Sequence, residues 1–123
     1  MIVLDTSAII EILKQTDKGT EIAGAVKYLD VAITSISIHE ILVGAKEKEI
    51  AKIEHFLSSV KTLDFNSLSA IESSRLENKL KSRGIKIGEL DIFISGICLA
   101  NNSKLITLDR DFLEVKELDV KVF

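Results

Sequence analysis

Proline and tryptophan are absent from this 123-residue chain, cysteine occurs once, and aromatic residues make up only 5% of it. Without proline, and with six scattered glycines, no stretch reads as an interdomain linker. A lone thiol, Cys98, excludes a disulfide framework, and beside only two histidines, His39 and His55, it excludes a Cys/His zinc site. The few aromatics are scattered at mostly apolar positions, so single strands of nucleic acid are not gripped here by stacking. Neither sign of charge prevails: 16 Lys plus Arg stand against 19 Asp plus Glu, a formal net charge of −3. Binding nucleic acid by bulk charge is excluded, while local binding through metal ions and a small basic patch is not. The longest near-apolar run, Ile92 to Ala100, spans nine residues, against the ~20 a membrane-spanning helix needs. The N-terminus opens directly into Ile2-Val3-Leu4-Asp5, without a basic segment or a leader pattern. A cytoplasmic protein without membrane contact is expected.

What is present is apolar material, 46% of the chain, enough for one core in one domain spanning residues 1–123. No internal repeat breaks it up. Runs rich in β-branched residues at Ile2–Leu4, Val31–Thr34, Thr62–Phe65, Lys104–Thr107 and Val120–Phe123 have strand length and composition. Between them, helical spacing marks Ser7–Lys14, Thr20–Leu29, Ile36–Lys46, Ile50–Val60, Ser67–Ser82 and Glu89–Asn101. Strands alternating with helices predict a parallel α/β sheet. Asp5, Thr6 or Ser7 suits the cap of the first helix, Ser35 or Ser37 that of the third, Asn66 or Ser67 that of the fifth, and Gly84 a helix C-terminus.

In such sheets the functional crevice lies beyond the carboxyl ends of the strands. Asp5 ends the first strand, Asp109 follows the fourth, Asp91 falls in the first turn of the last helix, and Glu40 lies one turn into the helix after the second strand. Ser37, Glu40 and Gly44 share one stripe of that helix. Asp91, Ser95 and Asn102 form a polar line among Ile92, Phe93, Ile94, Ile97 and Cys98. Carboxylates gathered at one rim repel by about 4 kcal/mol per close pair at an effective dielectric of 20. Hard divalent cations take oxygen ligands, so a Mg²⁺ or Mn²⁺ site is expected, and with it phosphodiester hydrolysis.

Asp5-Thr6-Ser7 after the first strand, Glu40 with Gly44, Asp91 leading an apolar helix, and Thr107-Leu108-Asp109-Arg110-Asp111-Phe112 together resemble the PIN-domain family, whose small stand-alone members are VapC-type toxins. The likeness spans essentially the whole chain. It implies a three-layer α/β/α domain with a central, mainly parallel five-stranded sheet, acting as a Mg²⁺-dependent endoribonuclease in which Mn²⁺ can substitute. Asp5 and Asp91 would be the principal metal ligands. Glu40 would hold a metal or its activating water, and Asp109 would act through water or a second ion. Thr6, Ser7 and Thr107 would support these ligands by hydrogen bonds. Asp111 competes with Asp109, which lies nearer the strand end. The resemblance further implies a homodimer and a cognate antitoxin, whose tail can place a basic side chain near the acids.

Each residue alone has a plainer reading: Asp5 an N-cap, Asp91 a partner of the helix dipole, Glu40 a solvated charge, Asp109 with Asp111 a turn. Their convergence carries the functional one. Arg110 is the better candidate for an RNA phosphate contact. Lys86 is another, in a stretch from Arg75 whose cations also suit the C-terminus of a helix. Two competing functions are a non-catalytic PIN-fold binding domain and a receiver-like phosphoacceptor domain with Asp64 after the third strand.

Overall fold

The structure is a computed structural model describing residues 1–123. The β-branched runs form β1 (Ile2–Leu4), β2 (Val31–Thr34), β3 (Lys61–Leu63), β4 (Lys104–Thr107) and β5 (Val120–Val122). The helical segments form α1 (Thr6–Lys14), α2 (Asp17–Val26), α3 (Ser35–Gly44), α4 (Ile50–Ser59), α5 (Ser67–Ser82) and α6 (Glu89–Ala100). Short 3-10 turns at Glu47–Glu49 and Arg110–Glu114 complete the chain.

The sheet is parallel throughout, in the order β3-β2-β1-β4-β5. Successive strand residues point to opposite faces, and this alternation divides the apolar residues into two cores. Val3, Ala32 and Leu105 meet Leu76 and Leu80 of α5 and Ile94 and Ile97 of α6. Their neighbours Leu4, Ile33 and Ile106 meet Ile9 of α1, Ile22 of α2, Ile41 of α3 and Ile53 of α4. The result is the expected three-layer α/β/α arrangement. α5 and α6 approach so closely that a Cβ on Gly96 would lie 2.6 Å from Ser73 Cβ and 2.8 Å from the Ser69 carbonyl oxygen.

Local chemistry shifts three of the expected boundaries. α2 starts at Asp17 rather than Thr20, because Thr16 caps it by accepting the Gly19 amide at 3.0 Å. α3 is capped by Thr34, not Ser35 or Ser37: the Thr34 side chain accepts the Ser37 amide at 3.1 Å. β3 ends at Leu63, and Phe65 lies past it, its amide donating to Ser35 Oγ. Asn66 caps α5 as expected, and Gly84 takes φ +70 just after it.

Candidate active site

The chain leaves β1 toward β2 on one side, whereas β4 pairs with β1 on the other. The switch point of the sheet therefore lies between the carboxyl ends of β1 and β4, the place where open α/β sheets form their crevice. Leu4 is in register with Ile106, and the Asp5 amide donates to the Ile106 carbonyl at 2.9 Å. Asp5 is thus fixed at the floor, 4% exposed.

Two hydroxyls orient its carboxylate. Thr107 Oγ1 donates to Asp5 Oδ2 at 2.7 Å and Ser7 Oγ donates to the same oxygen at 3.0 Å. Each hydroxyl has a single proton, so the 3.2 Å contact between Ser7 and Thr107 carries no donation. Their own oxygens accept from the loop after β4: Leu108 N–H to Ser7 Oγ and Asp109 N–H to Thr107 Oγ1, both at 3.0 Å. Backbone thus sets each hydroxyl's direction, and each hydroxyl aims at Asp5. The rest of the set stands around it. Glu40 on α3 is half-buried and accepts a 2.7 Å hydrogen bond from Thr6 Oγ1. Asp91, in the first turn of α6, and Asp109, after β4, are half-buried as well.

Electrostatics tie the four together. Burial pushes the Asp91 carboxyl up from 3.8 to about 7, reinforced by the charges of Asp5, Asp109, Glu40 and Asp111 in that order. The helix N-terminus favours the ionised form, but here desolvation and four negative neighbours prevail. Asp5 is also raised, mainly by burial, against the opposing hydrogen bonds from Thr107, Ser7 and the Thr6 backbone. None of Asp5, Glu40, Asp91 or Asp109 is paired with a lysine or arginine. No three of the side chains close into a ready-made metal cage. Mg²⁺ does not need one: it binds through one or two carboxylates and keeps several waters. An uncompensated, all-oxygen acidic set fits such an ion.

Other candidates fall in different places. Asp109 accepts the Asp111 amide at 2.9 Å, capping the 3-10 turn, while Asp111 is exposed and acts on Asp91 more weakly than Asp109 does. Arg110 and Lys86 are exposed and enter no ion pair, whereas Arg83 is engaged by Glu117 at 2.8 Å. The polar line on α6 does not continue into the crevice, since Ser95 donates back to the Asp91 carbonyl at 2.8 Å and Asn102 lies beyond the helix. Asp64 sits after the edge strand β3, two strands from the crevice, which removes the receiver-like reading. Sequence reasoning placed Ser37 on the Glu40 stripe but gave its hydroxyl no role in the site, and it passed over Thr34. The signal was a hydroxyl three residues before Glu40, one turn along the same helix.

The all-parallel five-stranded sheet between two helical layers defines a class of α/β/α domain, and known proteins share it. The chain belongs to the PIN domain family, whose model matches residues 2–118. It is 30% identical over 94 residues to Ribonuclease VapC2 of Rickettsia felis, covering 72% of this chain and 70% of that one. To the tRNA(fMet)-specific endonuclease VapC of Salmonella typhimurium it is 26% identical over 98 residues, 76% and 74% of the two chains. Among solved structures it is similar to VapBC2 from Rickettsia felis bound to a promoter DNA fragment, with 26% identity, a TM-score of 0.87, and coverage of 100% and 99%. It is also similar to VapBC-1 from nontypeable Haemophilus influenzae, with 28% identity, a TM-score of 0.85, and coverage of 99% and 98%.

Proposed function

We propose that this chain is a metal-dependent endoribonuclease of VapC type, the toxin of a toxin–antitoxin pair acting in the cytoplasm. The observation that carries the reading is the set of four carboxylates, brought from residues 5, 40, 91 and 109 to one crevice with no basic side chain to neutralise them. Asp5 and Asp91 would hold Mg²⁺, or Mn²⁺ in its place, with Glu40 and Asp109 completing the shell directly or through water. When bound, such an ion acidifies a coordinated water and offsets charge building on phosphate oxygens. The chain's own groups hold the geometry: Ser7 and Thr107 fix Asp5, and Thr6 fixes one oxygen of Glu40. Arg110 and Lys86, exposed and free of ion pairs, would contact RNA phosphates beyond the acids.

The antitoxin reading rests on the relatives, whose solved structures are VapBC complexes. A cleft of about 530 Å³ beside Glu40, floored by Ile10, Ile41 and Ile53 and rimmed by lysines such as Lys46 and Lys52, suits an amphipathic acidic segment of such a partner. The exposed Val43, Leu68 and Ile71 offer apolar surface for a homodimer, to be read by sedimentation equilibrium as twice the chain mass.

Titration calorimetry of Mn²⁺ into wild-type and Asp91→Asn protein, followed by RNA cleavage in the same buffers, tests the reading. Saturable uptake and cleavage should both vanish in a variant that keeps the wild-type circular dichroism. Cleavage by folded Asp91→Asn at the wild-type rate would sink it. A wild type that neither takes up metal nor cuts RNA would leave the non-catalytic binding domain.

A further inference from the structure

Thr6 Oγ1 lies 2.7 Å from Glu40 Oε1 and 2.8 Å from Ser37 Oγ. A hydroxyl has one proton to give and an ionised carboxylate has none. Thr6 therefore donates to Glu40, and its contact with Ser37 is filled by the proton of Ser37. Ser37 Oγ in turn lies 3.4 Å from Thr34 Oγ1, whose oxygen already accepts the Ser37 amide at 3.1 Å and whose proton is free to point at Ser37. Counting protons fixes the direction of the whole chain, from Thr34 to Ser37 to Thr6 to Glu40. Thr34 and Ser37 are fully buried. In such surroundings each donor polarises the next and the bonds strengthen one another.

We infer that Ser37 is a positioning residue for Glu40, acting through Thr6. Glu40 is a long side chain at a half-exposed position of α3, with several rotamers open to it. The chain confines it to one of them by gripping Oε1, which leaves Oε2 as the oxygen free of side-chain hydrogen bonds. Because Thr6 is the first residue of α1 and directly follows Asp5, the same contact locks α3 to the helix that starts at the site floor. Asp5 is held in the same manner, by hydroxyls whose direction comes from buried or backbone donors. Two carboxylates on different elements are thus each oriented by a hydroxyl that belongs to neither. The role assigned to Glu40 in catalysis rests on the nuclease reading, whereas its confinement by Ser37 and Thr6 does not.

The test uses Ser37→Ala, Thr6→Val, the double variant, and Thr6→Ser as the conservative rescue. In metal-free protein, three-bond NMR couplings to the Glu40 Cγ read its rotamers. One rotamer is expected in wild type and Thr6→Ser, and an averaged mixture in the other three. With metal, Ser37→Ala should weaken Mn²⁺ binding and lower kcat for RNA cleavage by roughly tenfold at unchanged KM, the low end of the 10–100-fold effect of ligand-supporting hydrogen bonds. The double variant should be no worse than Thr6→Val alone, since both changes cut one chain. Wild-type rotamers and Mn²⁺ affinity in Ser37→Ala, or losses that multiply in the double variant, would overturn the inference. Thr6 is half-buried, so Thr6→Val keeps the test open should Ser37→Ala fold poorly. If wild type takes up no metal and cleaves nothing, the nuclease reading falls while the NMR couplings still decide the positioning role.

Discussion

Asp91 shows how far a carboxylate can be moved by burial, with like charges beside it. Its proton is held more tightly in the folded protein, at about 7, than at the ordinary 3.8 that applies once the chain unfolds. Acid therefore favours the fold: the contribution of Asp91 to stability is complete below about pH 4 and is lost as pH rises through 7. Asp5 is raised as well and acts in the same direction. The melting temperature of metal-free protein is expected to fall between about pH 4 and 7 and to level off above, as followed by circular dichroism. Asp91→Asn should flatten that fall and melt higher than wild type at pH 8, although it removes a ligand. Adding Mg²⁺ at pH 8 should restore stability in wild type by mass action and do little for the variant. Equal pH profiles for the two proteins would show that the acids are not coupled. From sequence, Asp91 was recognisable as an acid in an apolar helix, but the strength of its coupling was not, because it depends on distances to Asp5 and Asp109 across the fold.

At the level of helices and strands, sequence periodicity carried most of the architecture. Every strand and helix falls where β-branched runs and helical spacing place it, within a few residues. The failures have local causes. Gly19 looks like a helix breaker, yet it lies inside the first turn of α2, where α2 crosses the end of α1 so closely that a Cβ would sit 2.1 Å from the Glu11 carbonyl oxygen. The two 3-10 turns are too short to leave a periodic signature. Thr34 ends a strand and caps a helix at once, a double role that composition does not reveal. Gly96 and Gly24 make the packing argument testable. Gly96→Ala must push α5 and α6 apart and should cost about 1–3 kcal/mol, whereas a Cβ at Gly24 meets nothing within 4 Å and Gly24→Ala should gain about 0.5–1 kcal/mol of helix stability. Thermal melts of the two variants should therefore shift in opposite directions.

Taken whole, the molecule draws its site from the far ends of its sequence, and its remaining ties follow the same plan. Arg83, at the end of α5, donates from Nη2 to both carboxylate oxygens of Glu117 at 2.9 and 2.8 Å, holding the segment before β5 to the helical layer it packs against. Both side chains are only about one-fifth to one-quarter exposed. Removing the pair's cation with Arg83→Ala should cost on the order of 1 kcal/mol, within the upper range for a partly solvated ion pair. Cleavage should be unchanged in that variant, because neither residue touches the crevice. The central position of β1 has another consequence, one of timing. Asp5 is synthesised before Thr107, which orients it from 102 positions further along the chain. At about 5–20 residues per second, a nascent chain spends roughly 5–20 s with Asp5 made and the strand beside it still missing. Through that interval the acidic crevice does not exist. A chain that cuts RNA would thus leave the machinery translating it untouched until β4 has been made.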